Sequence, residues 1–311
     1  MDFLIFVISI AILIAGADMV IRSSNALALR LNASHFVVGA FLVALGTSLP
    51  EMSIALSANT QGKVEMAMAT LIGSSILNVT LIFGSIFVFS KSTKIERDFF
   101  KKDALWLLAT LILFVLVISD SAIGYFDAFV LLALTGFYIL SLFEDRHKKR
   151  GEFLQEILQN ALTLPVALFL LVGGVALLIV GAIFSVDSVT DIATRLHLDR
   201  WHSGVMMIAV ATALPDLILT ILAVYRNKAE IAIANILGST ISNLTLVVAL
   251  SALATPIVFD FTVHLFDLGV MILSSLMVVA MVLTRSYNRL IALCLFLIVI
   301  LYIERLLRFI A

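Results

Sequence analysis

The sequence predicts an all-α integral membrane protein. It has ten transmembrane helices in two inverted five-helix repeats, with broken helices at a central site. Three observations predict this. The 311 residues are 62% hydrophobic and only 13% charged, with a mean hydropathy of +1.16, where soluble domains carry about 25% charged residues. Ten apolar segments approach or exceed the roughly 20 residues a helix needs to cross a bilayer. One motif is written twice at a constant offset of 165 residues: Gly46-Thr47-Ser48-Leu49-Pro50-Glu51 with Gly73-Ser74-Ser75-Ile76-Leu77-Asn78, then Ala211-Thr212-Ala213-Leu214-Pro215-Asp216 with Gly238-Ser239-Thr240-Ile241-Ser242-Asn243. A fixed offset without insertions marks an internal duplication.

The ten segments run roughly 3–21, 36–59, 64–90, 104–119, 123–143, 161–186, 203–224, 229–254, 265–284 and 289–303. The fourth and last are short and need their flanks. The N-terminus turns apolar after Met1-Asp2 without the basic region of a cleavable signal, so the first segment reads as a retained helix. The chain divides into a first repeat, 1–143 (motif 39–81), a short polar linker, 144–160, and a second repeat, 161–311 (motif 204–246). Five helices per repeat is an odd number, so the second copy crosses in the opposite sense. That is the architecture of secondary transporters with a midplane site.

Basic residues set the orientation. With the N-terminus outside, fifteen Lys and Arg fall on the cytosolic side, among them Arg22, Lys101, Lys102, Lys148, Lys149, Arg150, Arg226 and Lys228. Only Lys63, Arg195, Arg200, Arg305 and Arg308 fall outside. The chain is therefore placed in the cell membrane, N-out and C-out. A net charge of −1 suggests no nucleic-acid partner. The single cysteine, Cys294, excludes an internal disulfide.

Each copy puts a carboxylate, Glu51 or Asp216, inside an apolar segment that contains no Lys or Arg. On insertion scales such a charge costs about 2.5–3.5 kcal/mol at mid-membrane, and a bound cation is the simplest compensation. Two of only four prolines, Pro50 and Pro215, immediately precede these acids. Proline removes a backbone donor and kinks or breaks a helix, which exposes carbonyls to a buried ligand. Glu51 to Asn78 and Asp216 to Asn243 are both 27 residues. The intervening hairpin turns near Gln61-Gly62, so all four side chains can meet at one depth.

Every candidate ligand is an oxygen: the carboxylates of Glu51 and Asp216, the amides of Asn78 and Asn243, the hydroxyls of Thr47, Ser48, Ser74, Thr212 and Ser239, and loosened backbone carbonyls. Such a flexible shell suits Ca²⁺ better than Mg²⁺, and the lack of Cys or His disfavours Zn²⁺. The same acids can instead share Na⁺ ions or hold protons.

These repeated motifs resemble the α-repeats of the calcium/cation antiporter superfamily, most closely its sodium/calcium exchanger branch of prokaryotic type. The resemblance implies a secondary antiporter that exchanges Ca²⁺ for Na⁺ by alternating access and needs no cofactor. It implies Glu51 and Asp216 as central Ca²⁺ ligands, joined by the carbonyls of Thr47 and Thr212. It assigns Na⁺ sites to Ser74, Ser239 and the carbonyls of Ala44 and Ala209, and a sliding gate to the first and sixth helices. Two departures stand out. Ala213 lacks the hydroxyl that Ser48 supplies. Asn78 and Asn243 are both amides, whereas potassium-dependent exchangers carry an acid at the second place. The linker has no room for the Ca²⁺-sensing domains of animal exchangers.

The alternative coupling, H⁺/Ca²⁺ antiport, is disfavoured by the same two amides. A channel fits an inverted duplication poorly, and an intramembrane enzyme would need a nucleophile–base pair or a His-rich motif that the sequence lacks. Other polar groups read as structural. Asp18 and Arg22 form a local ion pair, Lys63/Glu65 and Lys228/Glu230 are solvated at hairpin turns, and His197, Asp199 and His202 form a surface cluster. The glycosylation patterns beginning at Asn78 and Asn243 fail on location.

Overall fold

The structure, a computed structural model, describes residues 2–31, 37, 39–89, 99–144, 162–195, 208–284 and 289–308. Helices occupy each of the ten predicted stretches. They are α1 (Asp2–Leu31), the bent pair α2 (Gly39–Thr47) and α3 (Leu49–Thr60), α4 (Val64–Phe89), α5 (Phe99–Ile118), α6 (Tyr125–Glu144), α7 (Leu164–Arg195), α8 (Ala209–Tyr225), α9 (Ala229–Ala254), α10 (Leu265–Thr284) and α11 (Arg289–Arg308). Among the described residues, six of these are long and apolar enough to span by themselves (in α1, α4, α6, α7, α9 and α10), and the bent pair makes a seventh. α5 and α11 reach 20 residues by extending into charged flanks, as the shortness of their apolar cores requires. The linker after Glu144, His35, His147, and the cluster of His197, Asp199 and His202 lie outside the described residues.

Burial sorts the helices into layers. The spanning windows of α4 and α9 are 89% and 83% buried, against 33% in α1, α6 and α7. The motif helices α4 and α9 are therefore the core. The outer helices turn large apolar side chains such as Phe126, Phe169, Leu116 and Leu297 outward, as a lipid-facing surface requires.

α1 and α7 cross as one long pair. At about 1.5 Å per residue, the 30 residues of α1 reach ~45 Å, more than the ~30 Å hydrocarbon core, so the helix must tilt or project. Their close approach depends on glycine. A Cβ on Gly16 would lie 2.8 Å from the Gly174 carbonyl, and one on Gly174 would lie 2.9 Å from the Gly16 carbonyl. Small residues permit such backbone contact between membrane helices. The Ser9 and Ser185 hydroxyls add a hydrogen bond of 2.7 Å across the same pair.

The two hairpins following α3 and α8 close identically. Gly62 and its counterpart Asn227 adopt φ of +72° and +57°. The Lys63 N–H donates to the Ala58 carbonyl (2.8 Å) and the Lys228 N–H to the Ala223 carbonyl (2.8 Å). This is the Schellman ending, which favours glycine or asparagine at the left-handed position. At one end of the molecule a two-residue antiparallel pairing joins β1 (Ala122–Ile123) to β2 (Ile257–Val258). Asn59 bonds the Ser251 and Thr255 carbonyls at that end. At the other end Asp18 pairs with Arg22 (2.7 Å), as the sequence suggests, and also with Arg226 across the interface.

One expectation about the helices needs correcting. The first motif does break its helix: α2 and α3 meet at Ser48 with a 47° bend. The second does not, because α8 runs continuously through Pro215 from Ala209 to Tyr225. The proline still removes the N–H that would bond the Ala211 carbonyl four residues earlier. A carbonyl is loosened there without a full break.

Candidate cation site

All eleven side chains or carbonyl-bearing residues singled out by the sequence are buried. Glu51, Asp216, Asn78, Asn243, Thr212, Ser74, Ser239, Ala44 and Ala209 are 0% exposed, Thr47 1% and Ser48 3%. Glu51 sits in the first turn of α3, just after Pro50. Asp216 sits in mid-α8. Asn78 and Asn243 each open a five-residue π-helical segment, Asn78–Ile82 in α4 and Asn243–Val247 in α9. A π-bulge widens the turn and often marks a functional position. The sequence carries no clear sign of these bulges, since π pitch is set by what packs around the helix.

The structure crosses the two motifs over each other. The Asn78 amide donates to the Ser239 hydroxyl (3.4 Å), and the Asn243 amide donates to the Ser74 hydroxyl (3.2 Å). Ser48 and Ser239 share a hydrogen bond of 2.9 Å. The Thr212 hydroxyl donates to the Ala209 carbonyl at 3.1 Å, and the Thr47 hydroxyl has three acceptors in reach, the Ala44 carbonyl (3.1 Å), the Val43 carbonyl (3.2 Å) and Asn235 Oδ1 (3.2 Å). In the first copy Ser74 donates to the Leu71 carbonyl of its own helix (3.3 Å), and Ala213, where the first motif has Ser48, offers it no hydroxyl.

Among the described residues neither acid has a basic partner. Asp216 accepts from Asn235 Nδ2 at 2.6 Å and from the Ser239 hydroxyl at 2.9 Å. Among the described residues no side-chain donor reaches either oxygen of Glu51, and the carbonyl oxygens of Asn78 and Asn243 are also buried without a donor. Four buried acceptor oxygens with no hydrogen to receive are costly in a low-dielectric interior. Oxygens of this kind are the ligands a hard cation takes. Asn235 is the site residue that reading the sequence missed. Its counterpart in the first copy is Thr70, so comparing the two motifs for equality passes over it, whereas comparing them for polarity would have found it.

A cavity of about 330 Å³ runs along α3 from the hairpin, lined by Ser53, Ser57, Gln61, Lys63, Met66 and Ile208. Of the lining residues, Ile208 is the one next in the chain to a candidate site residue, Ala209.

A multi-pass helical membrane protein that gathers duplicated acid, amide and hydroxyl motifs at its buried centre is, as a class, an ion transporter of the antiport type. The chain belongs to the sodium/calcium exchanger protein family, whose model matches residues 1–143 and 166–307. This is a transporter family rather than an enzyme family. The chain is 26% identical over 291 residues to the inner membrane protein YrbG of Escherichia coli, covering 91% of this chain and 89% of that protein. It is 26% identical over 296 residues to the sodium/calcium exchanger MaX1 of Methanosarcina acetivorans, covering 82% and 84%. The fold matches the sodium-calcium exchanger NCX_Mj, soaked with 2.5 mM Na⁺ and 10 mM Sr²⁺, with a TM-score of 0.82 at 25% identity, over 98% of this chain and 99% of that one.

Proposed function

We propose that the protein exchanges Ca²⁺ for Na⁺ by alternating access around Glu51 and Asp216. The observation that carries this reading is the set of four buried acceptor oxygens without donors, on Glu51, Asn78 and Asn243, beside a second buried carboxylate. Two carboxylates balance one Ca²⁺, and the mixed oxygen shell has the flexibility that Ca²⁺ tolerates. In this reading the carbonyls of Thr47 and Thr212 complete the Ca²⁺ shell. Ser74, Ser239, Ser48 and the carbonyls of Ala44 and Ala209 take Na⁺ when Ca²⁺ leaves. Family membership and the relative MaX1, a sodium/calcium exchanger, support Na⁺ and Ca²⁺ as the exchanged ions.

The chain acts as two inverted five-helix repeats, 1–143 and 161–311, joined by the linker 144–160, with ten spans and both termini outside. The pairing of β1 with β2 supports this arrangement, since it joins two connections assigned to the same face. So does Asp18 with Arg226, which joins the cytosolic half of α1 to the hairpin after α8. α1 and α7, packed chiefly on each other, form the element that slides. The cavity beside α3 is the outer approach to the site.

The test is ⁴⁵Ca²⁺ uptake into vesicles loaded with Na⁺ and diluted into Na⁺-free buffer. The wild type takes up Ca²⁺ only with internal Na⁺, and both Glu51→Gln and Asp216→Asn abolish uptake. Uptake that ignores Na⁺ and follows an imposed pH gradient would move the coupling ion to H⁺. Uptake that survives both substitutions would remove the acids from the site.

A further inference from the structure

We propose that Asn235 is a positioning residue that fixes Asp216 and braces it against the bend of the first repeat, making the two central acids unequal. This rests on reading the site as the Ca²⁺ site. Asn235 and Ser239 lie four residues apart on α9, so both face the same way. Together they grip Asp216 at two points: the Asn235 amide donates to one carboxylate oxygen at 2.6 Å and the Ser239 hydroxyl to the other at 2.9 Å. An ionised carboxylate only accepts, which turns the amide nitrogen toward Asp216. The amide oxygen is thereby left facing the first repeat, where the Thr47 hydroxyl stands 3.2 Å away. One buried side chain thus connects the acid of the second repeat with the residue at the bend of the first, whose carbonyl belongs to the proposed Ca²⁺ shell.

The first repeat has no such grip. Thr70, at the position matching Asn235, spends its hydroxyl on the Met66 carbonyl (2.8 Å). Ser74, matching Ser239, spends its own on Leu71. Among the described residues none donates to either oxygen of Glu51, which also has one more methylene than Asp216. Asp216 is oriented before an ion arrives, and Glu51 is the acid that adjusts to it. A ligand held in place by a neighbouring hydrogen bond gains affinity, and removing that bond costs 10- to 100-fold in metal sites.

The experiment measures Na⁺-driven ⁴⁵Ca²⁺ uptake against Ca²⁺ concentration for wild type, Asn235→Thr and Thr70→Ala. Threonine already occupies the matching position on a buried helix, so Asn235→Thr is expected to fold. Asn235→Ser replaces it if size-exclusion shows otherwise. Expected is a 10- to 100-fold rise in KM for Ca²⁺ in the Asn235 variant, a saturating rate within about threefold of wild type, and no change in Thr70→Ala. An unchanged KM overturns the proposal. So does a collapsed saturating rate at unchanged KM, which would make Asn235 part of the moving or folding machinery instead. Should wild type show no Na⁺-driven uptake, the exchange reading fails separately. Equilibrium ⁴⁵Ca²⁺ binding to the purified protein then carries the comparison, with the same weakening expected. Wild-type protein that binds no Ca²⁺ overturns both.

Discussion

Gly238 is where the packing of the two repeats can be tested most sharply. A Cβ built there would lie 2.4 Å from the Ala40 carbonyl oxygen, 3.1 Å from its carbon and 2.8 Å from the Ala44 Cβ. Cβ atoms essentially never approach within 3.0 Å. In Gly238→Ala, α9 and the Gly39–Val43 segment must therefore separate by at least about half an ångström. The obstruction is backbone, so no rotamer change relieves it. Overpacking of this kind costs about 1–3 kcal/mol, enough to lower Tm by several degrees. The displacement also moves Ala44 and Thr47, which are contiguous with the obstructed segment. Since misplacement on the ångström scale costs up to about 10²-fold where geometry matters, the KM for Ca²⁺ should rise as well. Thermal unfolding in detergent and Na⁺-driven uptake measure the two effects. Gly136→Ala is the control. Nothing lies within 4 Å of its added Cβ, and relief of the helical glycine penalty should stabilise it by roughly 0.5–1 kcal/mol. A Gly238→Ala protein as stable and as active as wild type would refute the close contact.

Two further outcomes follow from polar contacts at the β1–β2 end. Asn59, 0% exposed, donates to the Ser251 and Thr255 carbonyls at 2.8 and 2.7 Å. Asn59→Ala strips the end of α9 of these donors and should cost about 1–3 kcal/mol, read as a lower Tm. An unchanged Tm would mean that water or another donor replaces it. His264, before α10, stacks on Phe259 with centroids 4.8 Å apart. Burial holds its pKa below the ordinary histidine value, against the pull of Asp267, Glu65 and Asp260. The unfolded chain therefore takes up this proton first as pH falls. The stability involved is complete above about pH 6.5 and is lost toward the lower folded value. Tm should drop between pH 7.5 and 5.5 less steeply in His264→Phe than in wild type; parallel slopes would rule this out.

The membrane class, the ten apolar stretches, the duplication and the buried acids were legible in the chain itself. They rest on composition and on residues set at fixed spacings, which the bilayer turns directly into spans and depth. The constraint is local, since each helix must satisfy its own backbone in lipid. Which groups face one another was not legible. The exchange of hydrogen bonds between Asn78 and Ser239 and between Asn243 and Ser74 depends on how α4 and α9 pack, and no spacing within either motif encodes that. The unequal prolines show the same limit. Pro50 and Pro215 each follow a leucine and precede an acid, yet one accompanies a 47° bend and the other sits inside a continuous helix. A proline only removes a hydrogen bond. Whether the helix then bends depends on its flanking residues, Gly46 and Ser48 in one copy against the stronger helix formers Ala211 and Ala213 in the other, and on the helices around it. Asn235 was hidden for the same reason: an asparagine in an apolar helix becomes part of a site only when the tertiary fold puts a carboxylate 2.6 Å from its amide.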